Sequence, residues 1–416
     1  MTEYGRIAVI GGGPAGMMAA GTAAVCGASV TLFDHAGRLG KKLAITGKGR
    51  CNVTNACALA EFLDNVPRNP RFLFAALHAF SPDDTVEFFT SRGVPLKMER
   101  GRRVFPESDR AADIVRAMRD YAAAAEIRFE NVHSIEKKDG SFCVTTDTAR
   151  MFDAVILSTG GRSYPLTGSD GSGYRLARKL GHTVTPLSPS LVPLDSSSDI
   201  CEKLQGVSLR NIRLRVFRND GKCLYEDFGE MMFTHFGVTG PTVLSASAHL
   251  REEDIASLRL SVDLKPALDE ATLDRRLLSD FTERANKDFL HAMDALLPQK
   301  MTAPFIERTG IDPHRKTNTV TKEERRRILS LLKDFSVPLS GFRPIEEAIV
   351  TAGGVDVKEV SPKDMQSKRI PGLFFAGEIL DVDAYTGGYN LQIAFSTGHL
   401  AGKSAAEYVT KGNSTT

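Results

Sequence analysis

The residues with the clearest chemical use are Gly11, Gly13 and Gly16, whose G-x-G-x-x-G spacing follows the apolar run Ile7-Ala8-Val9-Ile10. That run reads as a buried strand, and the glycines as a turn opening a helix with Pro14 and Ala15 in its first turn. Gly11 lets the chain turn sharply, Gly13 lets a pyrophosphate approach the backbone, and Gly16 permits close packing of the helix. The free amides and the positive end of the helix dipole then face the phosphates. An alanine-rich helix to Cys26 leads to a second strand, Ala28 to Phe33, which ends in Asp34. An acid at that point can accept hydrogen bonds from ribose hydroxyls, so the opening segment reads as a dinucleotide site.

Further candidate ligand residues occupy two other stretches. The loop Arg38 to Asn55 carries Arg38, Lys41, Lys42, Lys48 and Arg50 without an acid among them, interleaved with Gly40, Gly47 and Gly49 and followed by Asn52. Cations suit a pyrophosphate and an electron-rich ring, and glycines allow close backbone approach. Near the C-terminus, Leu373-Phe374-Phe375-Ala376 reads as a strand running into Gly377 and Glu378, a carboxylate placed for sugar or ribityl hydroxyls. Gly387 and Gly388 then turn into a helix through Asn390 and Leu391 to about Tyr408, whose N-terminus can stabilise negative charge on a reduced ring. Thr159, Gly160 and Gly161 follow the strand 153–158, where a sheet edge passes close to a cofactor. A second glycine-rich helix start, Gly168 to Gly173, lacks the preceding strand that a nicotinamide domain requires.

The elements that must position these residues divide the chain. At 416 residues it exceeds one ordinary core. Ser81 is an N-cap before Pro82, a helix spans 109–124, and strands fall at 127–133, 141–147 and 153–158, with Lys137 to Gly140 as a hairpin turn. A proline- and serine-rich stretch, Pro186 to Pro193, marks the exit from the first domain. Strands at 206–218, 222–227, 230–234 and 258–264 form a β-rich module, and 266–333 is helical, with Thr321 to Glu324 as a capping box. The expected domains are 1–190 with 342–411, a β-rich insertion of 191–265 with 334–341, and a helical subdomain 266–333. A net charge of +2 offers no broad case for nucleic acid or an anionic membrane. No run is apolar enough to span a bilayer and the first strand starts at once, so a cytoplasmic location is expected. Six scattered cysteines without a C-x-x-C pair argue against zinc and a disulfide framework, and no metal site is expected.

Taken together, Gly11 to Gly16, Gly47 to Asn55, Phe233 to Pro241, Thr351 to Val355, Gly377 to Asp381 and Gly387 to Gln392 resemble one bacterial family. It is that of the YhiN-like, or BaiN-type, NAD(P)/FAD-dependent oxidoreductases, also called aminoacetone-oxidase-like flavoproteins. The resemblance covers nearly the whole chain. It implies an α/β fold: a Rossmann-like FAD-binding domain of the glutathione-reductase/fumarate-reductase type, with an inserted β-barrel-like domain and a helical subdomain. It also implies FAD as cofactor, with Gly11, Gly13 and Gly16 at the pyrophosphate, Asp34 at the adenosine ribose and Glu378 at the ribityl chain. Asn390 and Leu391 lie by the isoalloxazine on this reading. Relatives usually have glutamate where this chain has Asp34, and both accept from ribose.

FAD supplies redox chemistry, and the protein must orient substrate and donor. The leading expectation, carried by the resemblance, is NAD(P)H-dependent reduction of a conjugated C=C bond. The substrate is a small molecule such as a steroid- or bile-acid-like enone, with hydride delivered from flavin N5 and NAD(P)H as transient donor. Tyr164, His235 and Tyr389 are candidates for the proton donor or the group that polarises the carbonyl. The alternatives are an FAD-dependent oxidase of a small amine and a flavin-binding regulatory or RNA-modification-associated protein. Cys51 and Cys57 lie where flavin disulfide reductases keep their cysteine pair, but five residues separate them.

Overall fold

The computed structural model describes residues 5–412, which fall into two units: one runs to Ser190 and resumes at Ile345, and the other spans Leu191–Pro344. In the first, β1 (Arg6–Ile10) leads through the glycine turn into α1 (Pro14–Val25), then β2 (Ser29–Phe33) and the short helix α2 (Lys41–Ile45). Next come α3 (Ala111–Ala122), β3 (Glu126–Arg128) and β4 (Ala154–Leu157), and, after the second unit, β5 (Leu373–Phe375) and α4 (Tyr389–Gly412). The strands lie in the order β5-β4-β1-β2-β3, and every pair is parallel. Continuous apolar runs such as Ile7-Ala8-Val9 and Ala154 to Leu157 are fully buried, as a parallel sheet covered on both faces requires. The order reverses at β1, so the glycine turn after it sits at the topological switch point, where open α/β sheets bind ligands.

The crossover from β3 to β4 carries an antiparallel meander of Ser134–Lys138, Ser141–Thr145 and Ala149–Phe152 instead of a helix. This corrects the strand expected at 127–133: β3 stops at Arg128, and Lys137 and Lys138 belong to a strand. The turn is Asp139-Gly140 alone, because both residues have positive φ, 46° and 84°, which suits a two-residue hairpin.

The returning helix α4 closes the first unit against α1. A Cβ on Gly398 would lie 2.4 Å from the Ala15 carbonyl oxygen, and one on Gly402 2.4 Å from that of Ala19. Two helices approach so closely only where one carries no side chain.

The second unit is a seven-stranded antiparallel sheet with its helices. Its two outer strands, Phe335–Pro338 and Gly341–Phe342, are separated by only Leu339 and Ser340. The sheet must therefore curl until its edges meet, which makes it barrel-like. The strands expected at 222–227 and 230–234 are one continuous strand, Cys223–Phe233, with Gly229 opposite Ile212 where the partner strand shifts register. The helices Glu270–Glu283, Phe289–Met293, Gln299–Thr309 and Lys322–Lys333 share one core with the sheet, joining Leu273, Phe305 and Leu332 to Leu214 and Leu260. Thr321 and Glu324 form the reciprocal capping box. Among the described residues no helix is long and apolar enough to cross a membrane.

The α1–α4 contact yields a direct prediction. Gly402→Val should destabilise the first unit by about 1–3 kcal/mol through overpacking, seen as a lower urea midpoint with an unchanged slope. An unchanged midpoint would mean the helices are free to separate.

Candidate functional site

The glycine turn is built by contacts that leave one position open. Gly11 has φ 106°, and a Cβ there would stand 2.5 Å from the Ser158 carbonyl oxygen; on Gly16 it would stand 1.8 Å from that of Gly11. Over Gly13, by contrast, nothing lies within 4 Å. No side chain caps α1 and no acid stands in its first turn, so its amides and dipole face that open space. Asp34 at the end of β2 accepts from the Gly12 and Ala36 amides, each at 2.8 Å, and each oxygen keeps a lone pair for a hydroxyl. The turn, the uncapped helix and the acid together can hold a dinucleotide's phosphates and ribose.

Two buried polar atoms at this end of the sheet have no protein partner: Asn52 Oδ1 and Thr159 Oγ1. Buried polar atoms are seldom left unpaired, because each costs about 1–3 kcal/mol. Each could take a hydrogen bond from a group outside the chain. Gly160 follows Thr159 with φ 75°, and the loop before Asn52 has three successive left-handed residues, Gly47, Lys48 and Gly49. Lys48 and Cys51, at φ 57° and 61°, carry side chains in that region, a strain that collects at ligand sites.

A charged cluster ties four chain segments together. Lys42 Nζ donates to Glu378 Oε2 at 2.9 Å and to Ser163 Oγ at 2.6 Å. Glu378 Oε1 also accepts from the Thr351 amide at 2.9 Å and from Ser163 Oγ at 3.2 Å. Thr351 Oγ1 in turn accepts from the Arg162 and Ser163 amides. Both charged side chains are about a fifth exposed, 20% and 22%, so the pair is shielded while one edge of it stays open. Gly161 must be glycine, since a Cβ would meet Thr351 Oγ1 at 2.5 Å and Glu378 Oε1 at 2.8 Å.

The other anticipated residues divide into those with open faces and those already engaged. Arg50 is engaged: its guanidinium pairs with Glu99 and Asp109 and lies over Phe105 at 4.3 Å, which raises its pKa above the ordinary arginine value. Lys41 and Leu391 are half-buried, while Pro14 and Ala15 open α1. Gly377 has no room for a Cβ against Ala15, nor has Gly388 against the Thr54 backbone, so both hold the returning chain close to the site. Gly49 has open space around it. Asn390 accepts from the Ala384 amide and donates to the Ala384 and Tyr385 carbonyls, closing the loop that leads into α4.

The three candidate proton donors differ sharply. Tyr389 is buried, packs edge-on to Phe62 at 5.0 Å and shares a hydrogen bond with the Cys57 thiol; burial holds its phenol well above the ordinary tyrosine range. Tyr164 is 37% exposed at φ 54°, next to Ser163 of the charged cluster, with its amide on the Glu346 carbonyl at 3.3 Å. His235 belongs to the second unit, exposed in the turn after Phe233, with its ring 5.0 Å from that of Phe236. Cys51 is fully buried, and burial pushes its thiol up to about 12, so it is inert at neutral pH.

Several residues that matter here gave no separate signal in the sequence. Ser163 is an ordinary loop serine until the fold sets it beside Lys42. Gln392 is fully buried and satisfied, accepting from Thr54 Oγ1 at 2.6 Å and Thr85 Oγ1 at 2.7 Å while donating to Ser396 and the Phe80 carbonyl. Asp381, 2% exposed, pairs with Arg68 at 2.6 Å. A run of acids and amides after a glycine turn was the only available hint.

Comparison with known proteins places this geometry. The family model of the HI0933-like protein Rossmann domain matches residues 5–404. A 3-dehydro-bile acid delta(4,6)-reductase of Clostridium scindens is 31% identical over 418 residues, covering 97% of this chain and 99% of that protein. A ribosomal RNA dihydrouridine synthase of Escherichia coli is 28% identical, covering 94% and 95%. In fold, the chain is similar to a 3-ketosteroid delta1-dehydrogenase from Sterolibacterium denitrificans, with a TM-score of 0.50 at 13% identity over 96% of this chain and 99% of that one. The chain belongs to the HI0933-like family of FAD-binding Rossmann proteins and is an FAD-dependent oxidoreductase.

Two measurements follow from the site. Thr159→Val removes an unpartnered hydroxyl, so the apoprotein should keep or gain stability while FAD retention falls about tenfold, the value of one lost hydrogen bond. Equal loss in apo- and holoprotein would show that the hydroxyl serves the fold instead. Thiol titration of the native protein at pH 8 should modify the exposed Cys26 and Cys223 and leave Cys51 untouched until denaturant is added.

Proposed function

We propose that this member of the HI0933-like family reduces a C=C bond conjugated with a carbonyl, taking hydride from NAD(P)H. One observation carries the reading. Relatives aligned along almost the whole chain are named for two substrates that share this feature. A 3-oxo steroid with 4,6 unsaturation is a conjugated enone, and the C5=C6 bond of uridine is conjugated with its C4 carbonyl. Each named activity saturates that bond. In the net reaction the donor's hydride reaches the β-carbon, a proton adds at the α-carbon, and NAD(P)+ is released.

FAD, when bound, supplies the two-electron hydride chemistry. The chain's own residues hold and orient. Gly13 and the start of α1 take the pyrophosphate, Asp34 the adenosine ribose, and Glu378 the ribityl hydroxyls, with Asn390 fixing the loop whose neighbour Leu391 lies by the ring. Lys42 holds the Glu378 carboxylate in place through its 2.9 Å contact. Tyr164 is the proton donor we favour, because it combines an exposed phenol with a constrained backbone beside the charged cluster. Tyr389 is committed to packing against Phe62 and Cys57. A disulfide reductase mechanism is disfavoured, since five residues separate Cys51 and Cys57 and burial raises the pKa of both thiols.

Anaerobic stopped-flow mixing tests the proposal. NADH or NADPH should bleach the flavin, and a 3-oxo-4-ene steroid or a uridine-containing RNA should restore its absorbance with one saturated product per flavin. Tyr164→Phe should slow that second phase about 10²-fold with flavin content unchanged. Failure of both acceptors, together with peroxide formation from a small amine, would replace the reductase by an oxidase.

A further inference from the structure

The first unit has a concavity on the α3 side of the Arg38–Asn55 loop. It has a volume of about 620 Å³ and is lined by Arg38, Ala44, Gly49, Arg110 and one face of α3 as far as Asp120. Four arginines contribute to it, Arg38, Arg110, Arg116 and Arg119, against a single acid, Asp120. Two of the four have other duties: Arg119 donates to the Leu39 carbonyl at 2.9 Å and Arg116 to Asp113 at 2.9 Å. Arg38 and Arg110 make no side-chain hydrogen bond or ion pair among the described residues, and both are exposed. Arg110 precedes α3 without capping it by a side chain, and Asp113 stands in the helix's first turn.

The cleft is distinct from the glycine turn. The Gly40 amide bonds the Gly12 carbonyl at 2.9 Å on one side, while a Cβ on Gly40 would face Val115 at 3.2 Å on the other. Leu39 and Gly40 therefore stand between the two, with the arginines on the α3 side. The volume falls within the range of small-molecule sites and is far larger than a single ion needs. Guanidinium groups fit phosphate oxygens in a bidentate fork, and of the four arginines here Arg38 and Arg110 have no carboxylate partner among the described residues.

We propose that this cleft binds the phosphomonoester of a nucleotide, and that the nucleotide is the hydride donor, which selects NADPH over NADH through its 2′-phosphate. The assignment of the donor rests on the reductase reading above. The phosphate site itself does not. The chain has no second G-x-G-x-x-G fold to receive a donor's phosphates, and this cleft supplies cations beside the Gly47–Arg50 loop.

The test uses the FAD-loaded protein with 2′,5′-ADP as probe and 5′-AMP as control, measured by calorimetry. The wild type should bind 2′,5′-ADP more tightly than 5′-AMP, with affinity falling as salt rises. Arg110→Ala/Arg116→Ala, two exposed positions just before and on α3, should weaken 2′,5′-ADP at least tenfold and 5′-AMP much less, with flavin content and melting temperature unchanged. The same variant should lose at least tenfold of the NADPH-over-NADH preference in anaerobic bleaching. No binding of 2′,5′-ADP, or binding indifferent to the substitutions, overturns the phosphate site. Loss of probe binding with an unchanged NADPH preference overturns the donor assignment, and an oligoribonucleotide held by these arginines in place of the probe overturns the small-molecule one. Because binding is read without turnover, a wild type that binds the probe through these arginines but reduces no conjugated C=C bond refutes only the reductase reading.

Discussion

The approach of α4 to α1 is the contact on which the first unit depends. Gly398 and Gly402 leave the carbonyls of Ala15 and Ala19 no side chain to avoid, and the two helices meet at backbone distance. That approach fixes where α4 begins, and with it the loop that carries Asn390. It also holds Gly377 against Ala15, so that Glu378 emerges next to the start of α1. A ligand site made from the two ends of a chain needs such a fastening, since no local sequence can bring residue 13 near residue 378.

Electrostatics then completes what packing positions. Around Gly13 the protein offers a helix dipole and amides with no acid in the helix's first turn. At Glu378 it does the reverse, surrounding one carboxylate with an ammonium, a hydroxyl and an amide. The two ends of the site are thus prepared differently: the first leaves the amides at the start of α1 uncapped, and the second already pairs its carboxylate with an ammonium. An anionic pyrophosphate suits the former, and uncharged hydroxyls suit the latter. Asn52 and Thr159 retain buried atoms whose partners the chain does not provide.

How much of this could be read beforehand depends on the range of each interaction. Gly11, Gly13 and Gly16 announce themselves because strand, turn and helix are consecutive; Gly11 and Gly16 have no room for a Cβ, and the space over Gly13 is open. The buried strands were evident from runs such as Ile7 to Ile10, and Thr321 capped as its spacing required. Arg50 looked like a ligand for phosphate because its local sequence holds no acid; Glu99 and Asp109 come from far along the chain and claim it. Tyr389 stood beside a glycine turn, yet only the tertiary fold shows Phe62 and Cys57 closing over it. Side-chain partners many residues apart leave no periodic trace, and for that reason the Lys42–Ser163–Thr351–Glu378 cluster was invisible as a unit.

The second unit leaves and rejoins the first at one short antiparallel ladder, Ser188–Ser190 beside Val350–Ala352. Its sequence is uninterrupted, whereas the first unit owes a strand and its longest helix to the last part of the chain. During synthesis the inserted unit is therefore complete while β4 still lacks β5 on its outer edge. The nascent sheet must wait with one strand edge uncovered, and any pause or truncation before β5 exposes that edge to pairing with another chain.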